Sequence, residues 1–201
     1  MKKMLLLIPA ALLLLLGGCA EPEPPIENET LYTQVNMWYV KKPTTQKLSS
    51  MQMQSVHKAH PLRAEQTVEA TNYQRDVLIP VNSRITIVGS DAESIFFEYD
   101  GELIALHNTE KYTRISLYKL MQRSFGENPV DLSRFSTEEQ AAIRAGRVEP
   151  GLSKEAVIVA RGYPPAHKTP DLESDDWHYW NGRFNSRIYH FKAGKFVDYT
   201  D

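Results

Sequence analysis

Residues 151–165 read Gly151-Leu152-Ser153-Lys154-Glu155-Ala156-Val157-Ile158-Val159-Ala160-Arg161-Gly162-Tyr163-Pro164-Pro165, and the fold of the C-terminal third turns on them. Ser153 is a helix N-cap, since its hydroxyl can accept from an amide of the first turn that has no partner within the helix. Leu152 and Val157 stand at the two positions of a hydrophobic staple. Gly162 accepts backbone that other residues resist, and the two prolines after it have no N–H to offer, so the helix stops there. These signals predict a helix over 154–161. Upstream, Ser136-Thr137-Glu138-Glu139 is a capping box, which predicts a second short helix ending at Ala145, before Gly146. Downstream, residues 177–180, 187–191 and 195–199 are aromatic and β-branched, with Asn181-Gly182 and Ala193-Gly194 as turns. The C-terminal reading is therefore α-α-β-β-β, two helices packed on one face of a three-stranded antiparallel sheet.

The preceding half has the period of strands. Residues 77–79, 84–88, 94–99 and 102–106 are short apolar runs separated by Pro80-Val81-Asn82-Ser83, Gly89-Ser90-Asp91 and Asp100-Gly101. Asp-Gly is a strong hairpin signal because a type I′ turn needs positive φ at both central residues. Leu31 to Val40 alternates Val35, Met37 and Tyr39 against Gln34, Asn36 and Trp38, which predicts one more strand. The polar stretch 41–70 predicts a long loop or a frayed element; its His57 and His60 precede Pro61 with no third ligand near in sequence, so no metal site is assigned. A helix is predicted from Thr113, as N-cap, to Phe125, with Gly126 past its end. Fold class is thus α+β, with a small antiparallel β-barrel-like N-terminal unit whose strand pattern resembles a Src-homology-3-type barrel.

The chain begins differently. Lys2 and Lys3 precede an apolar run from Met4 to Gly18, short of the about 20 residues that span a membrane, which reads as a secretory signal. Leu16-Gly17-Gly18-Cys19 resembles the bacterial lipobox, and the resemblance implies a lipidated Cys19 as the first mature residue; Cys19 is the only cysteine among 201 residues. A lone cysteine excludes an internal disulfide and a Cys-rich zinc site. Ala20, where inner-membrane lipoproteins typically carry aspartate, implies the outer membrane. Residues 21–30, Glu-Pro-Glu-Pro-Pro-Ile-Glu-Asn-Glu-Thr, predict an extended tether. A formal net charge of −2 with scattered cations shows no footprint for nucleic acid. The predicted organisation is signal 1–18, acylated cysteine and tether 19–30, β-rich unit 31–112, connecting helix and linker 113–132, and α+β unit 133–201.

Ile143-Arg144-Ala145-Gly146, Gly151-Leu152-Ser153-Lys154-Glu155-Ala156-Val157, Arg161-Gly162-Tyr163-Pro164, Trp177-His178-Tyr179 and Tyr189-His190-Phe191-Lys192-Ala193-Gly194-Lys195-Phe196 together resemble the motifs of the BamE/SmpA/OmlA outer-membrane lipoproteins. The resemblance covers a third of the chain, with Val148-Glu149-Pro150 dividing the glycine motif. It implies a non-enzymatic accessory factor in outer-membrane assembly or maintenance, held on the periplasmic side by lipid, with an envelope protein as partner. No nucleophile elbow and no Cys/His pairing is present, so no catalytic residue and no cofactor is assigned. The candidate partner-binding residues are Trp180, Arg183 and Phe184 at the Asn-Gly hairpin, of types enriched in binding hot spots, with Tyr163 at the Gly-Tyr-Pro-Pro corner. The alternative is a module whose β-barrel holds peptidoglycan or another cell-wall glycan through Trp38, Tyr39 and neighbouring aromatics.

Overall fold

The computed structural model describes residues 28–41, 64–71, 73–182 and 184–201. Cys19, the tether up to residue 27, the His57 and His60 pair and Arg183 lie outside the described residues. The fold is α+β. Eight short strands form one curled sheet, a half-barrel: β1 (Thr30–Thr33), β2 (Met37–Tyr39), β3 (Gln66–Glu69), β4 (Val77–Ile79), β5 (Arg84–Ser90), β6 (Ser94–Tyr99), β7 (Glu102–His107) and β8 (Phe125–Gly126). Their order across the sheet is β4-β2-β3-β7-β6-β5-β1-β8.

Hairpins behave as their turns dictate. Asp100 and Gly101 take φ of 51° and 73°, and β6 and β7 pair in register from Ser94 opposite His107 to Tyr99 opposite Glu102. The expectation of a wholly antiparallel barrel is corrected, because β3 runs parallel to β7, with Val68 opposite Leu106. A hairpin forces antiparallel neighbours, whereas the long connection between β2 and β3 leaves the direction of β3 open. The sheet is also open, with β4 and β8 at its ends. Two further boundaries move. The single strand predicted over 31–40 is broken at Gln34-Val35-Asn36 into β1 and β2, and residues 28–30, predicted as tether, already pair with β5: Asn28 donates its amide to Ile87 O at 2.8 Å.

The helix predicted over 113–125 is two short ones, α1 (Glu110–Thr113) and α2 (Leu117–Ser124). Arg114 takes left-handed backbone with φ 54° between them, and Ser116, not Thr113, caps α2 by accepting from the Lys119 amide. Phe125 and Gly126 are drawn into β8 opposite Thr33 and Tyr32. The chain then passes through a 3-10 turn, Leu132–Arg134, into α3 (Thr137–Ala145), α4 (Lys154–Arg161), β9 (Asp176–Trp180), β10 (Ser186–Lys192) and β11 (Lys195–Thr200). The last three strands form a separate antiparallel sheet in the order β11-β10-β9. The capping box at α3 is complete: Ser136 Oγ accepts from Glu139 N at 3.2 Å, and Glu139 Oε2 accepts from Ser136 N at 3.1 Å.

Two cores result. The curled sheet encloses Ile79, Ile85, Ile87, Ile95, Phe97 and Ile104, with Leu120 and Phe125 filling its end. The second core sets Ala142, Ile143, Ala156, Val157 and Ala160 of the helices against Trp177, Tyr179, Tyr189, Phe191 and Phe196 of the three-stranded sheet. The cores interlock, since Val81 of the β4–β5 connection belongs to the second, while Ile158 and Tyr163 pack on the first.

Candidate functional site

Asn36 explains why the two cores form one body. Its backbone amide donates to Val159 O at 3.0 Å, and its side-chain amide donates to Ile143 O at 2.7 Å and Ala160 O at 3.0 Å. These are last-turn carbonyls of α3 and α4, the groups a helix leaves without a full set of internal partners. Asn36 Oδ1 in turn accepts from Val81 N at 2.7 Å. Beside it, Gly146 takes φ 62°, and a Cβ there would stand 2.9 Å from the Trp38 ring, so glycine lets the end of α3 meet β2. The wholly buried Arg161 guanidinium lies 5.4 Å from the Trp38 ring centre and 5.2 Å from that of Tyr179, and donates to Trp180 O at 2.9 Å. Trp38 and Tyr39 are 6% and 4% exposed, so neither ring is free to stack on a sugar.

That guanidinium fixes the end of β9, and the surface beyond it is aromatic. The Trp180 ring stacks on His167 with 6.2 Å between centres and 9° between planes. His167 in turn meets the Tyr112 ring of α1 at 4.8 Å, and Lys111 Nζ lies 4.7 Å from the centre of the Tyr112 ring. The His167 amide donates to Tyr112 O at 3.0 Å, so the loop after the Pro-Pro corner is pinned to α1. Burial pulls the imidazole below its ordinary pKa, against the opposing pull of the Tyr112 carbonyl, which favours the neutral ring that stacks. Phe184, in the hairpin that follows Trp180, is 85% exposed. Asn181 N donates to Asn185 O at 2.9 Å and closes that hairpin.

No family model, curated protein or solved structure matches this chain. The site is therefore argued from its own geometry. Of the predicted residues, Trp180 and Phe184 flank the same hairpin. Tyr163 points elsewhere: its ring lies 4.5 Å under the Arg123 guanidinium, and it lines both a cavity of about 40 Å³ at the mouth of the curled sheet and a larger cleft between α2 and α4. Tyr112 and His167 join the surface without having been marked in the sequence, because the contact that brings α1 to the loop after Pro165 spans 55 residues.

One further polar row has the outline of a relay. On the outer face of the three-stranded sheet, His190 Nδ1 stands 2.7 Å from Asp176 Oδ1 and His190 Nε2 stands 3.1 Å from Thr200 Oγ1. The row lines neither the cavity at the mouth of the curled sheet nor the cleft beside α2. Among the described residues, no group of three His, Cys, Asp or Glu side chains is placed to hold a metal ion.

Proposed function

We propose that this protein is a non-catalytic lipoprotein, anchored to the outer membrane through an acylated Cys19 and facing the periplasm, that binds an envelope protein in outer-membrane assembly or maintenance. The observation that carries the binding half is the exposed Phe184 in the hairpin after Trp180, whose ring stacks on His167 with Tyr112 tilted against it, on a body whose two cores are joined through Asn36. Rigid aromatic side chains on a pre-formed surface lose little entropy when covered, and they dominate interface energetics. Arg183 lies between Trp180 and Phe184 in sequence and is of a residue type enriched in binding hot spots.

The anchoring half rests on the order Lys2-Lys3, apolar run, Gly17-Gly18, Cys19. A diacylglyceryl group on that sulfur supplies the two chains that stable membrane attachment needs. In this reading residues 133–201 are the BamE-like unit, with α3 and α4 lying together on one face of β9–β11, and the curled sheet is an added unit that gives the aromatic surface its Tyr112 edge. No cofactor and no nucleic acid enters the scheme.

The test is site-specific photo-crosslinking of the full chain in cells, with a photoreactive residue in place of Phe184 or Tyr112, and in place of Arg144 as an exposed position on another face. The expected result is a discrete adduct with one envelope protein from positions 184 and 112 and none from 144. Equal adducts from all three, or none from any, would remove the proposal.

A further inference from the structure

The two units meet along α2 and α4 without closing, leaving a cleft of about 620 Å³. Its floor is apolar: the lining that remains partly exposed is Val130, Ile158 of α4, Tyr163 and Leu172, with Val35 and Val159 buried beneath. Its banks are cationic. Lys119 and Arg123, one turn apart on α2, form one side, and Arg134 and Lys154 stand on the other; the carboxylates in the lining are Glu155 and Glu173. Arg134 is engaged by Glu155 at 2.8 Å, and Lys154 donates to Glu173 O at 2.7 Å with Asp175 at 3.8 Å. Among the described residues, no carboxylate pairs with Lys119 or Arg123. Arg123 lies instead over Tyr163.

In a chain whose formal net charge is −2, a cleft with twice as many cations as carboxylates is selected by sign for an anionic occupant. The apolar floor then decides which anion. A phosphate would satisfy the cations and leave Ile158 and Leu172 uncovered, and a stacked base finds Trp177 wholly buried and the Tyr163 ring already engaged by Arg123. An extended peptide covers both, because alternate side chains point to opposite sides of the backbone. We infer that this cleft binds an extended acidic segment of a partner protein, its apolar side chains on the floor and its carboxylates against Lys119 and Arg123. The inference needs neither the lipid nor the hairpin surface, so it stands or falls separately from the function proposed above.

The test uses the chain carrying Cys19→Ser, without lipid, and a short fluorescein-labelled peptide of glutamate, proline and isoleucine, followed by fluorescence anisotropy. Saturable binding that weakens with added salt is expected. The double variant Lys119→Glu/Arg123→Glu should bind about tenfold more weakly, while Lys168→Glu/Lys192→Glu, the same change of charge outside the cleft, should bind as the parent does. The single variant Lys119→Glu, at an exposed position of α2, serves if the double variant melts early. A peptide with lysine for glutamate should not bind. Equal affinity for the lysine peptide, or equal weakening by the remote variant, would overturn the inference. So would vesicles of anionic phospholipid that bind through Lys119 and Arg123 while the acidic peptide does not.

Discussion

The two cores are filled by opposite means. In the curled sheet, isoleucines from β4, β5, β6 and β7 meet one another across a half-barrel; β5, β6 and β7 pair as consecutive neighbours, while β1, β2, β3 and β8 find partners far away in sequence. In the C-terminal unit, alanines at 142, 156 and 160 let the helices come close to a sheet whose large rings, Trp177, Tyr179, Tyr189, Phe191 and Phe196, fill the space. Small against large packs densely with little material. Each C-terminal element is also bounded by its own local device: the Ser136 box, the Ser153 cap, Gly162 and the Ala193-Gly194 turn at φ 50° and 74°. The difference teaches that the first unit leans more on long-range pairing and the second on local signals, and that Asn36 is the polar joint between them, beside the packing of Val81, Trp38 and Ile158.

Breaking that joint should have the largest effect. Asn36→Ala leaves the Val81 amide and the carbonyls of Ile143 and Ala160 without their buried partner, and should lower stability by about 3–5 kcal/mol in chemical denaturation. Hydrogen exchange should show α3, α4 and the β4–β5 connection loosening together. A loss under about 1 kcal/mol would mean the two units are independent.

Next is Glu139, which is buried and holds α3 to the start of α4. Burial is the largest influence on its carboxyl and pushes the pKa up, but the amides of Ser153 and Ser136 and the Lys195 ammonium together outweigh it, and the value falls to about 2. A folded-state value below the unfolded one contributes stability that is present above the unfolded value and lost as pH falls through the folded one. Glu139→Gln should therefore cost about 2 kcal/mol at neutral pH. The difference in Tm between parent and variant should shrink as pH is lowered from about 4.5 towards 2. A difference independent of pH would show that the charge is not what Glu139 contributes.

Ser153→Ala removes a hydroxyl that accepts from Ala156 N at 3.2 Å, and should cost about 1 kcal/mol, with faster exchange confined to the first turn of α4. Smallest of all is Phe184→Ser, which should change stability by less than about 0.5 kcal/mol because the ring is exposed. It should nevertheless reduce capture of the envelope partner from position 112. A large loss of stability would place the ring in the monomer's own packing.

The same contrast accounts for what the sequence discloses. Ser136 and Glu139 are three residues apart and their exchange of hydrogen bonds is written in their types and spacing. Asn36 bonds to residues 107 and 124 positions away, and within its own strand it reads only as the polar half of an alternation. Trp38 follows suit: alternation puts it on the outer face of β2, and only the fold shows that face covered by Gly146 and Arg161. At the candidate site, Phe184 is legible because a hairpin tip has few neighbours to cover it. Tyr163 is not, since the Pro164-Pro165 corner carries it across to α2 rather than out to the hairpin.

The account depends first on where the protein is held. Mass spectrometry of the N-terminal peptide, taken from protein expressed in a bacterium and extracted from its outer membrane, tests this directly. A peptide that begins at Cys19 and carries the mass of a diacylglyceryl thioether is the predicted result; a peptide that begins elsewhere, or a Cys19 with a free thiol, would contradict it.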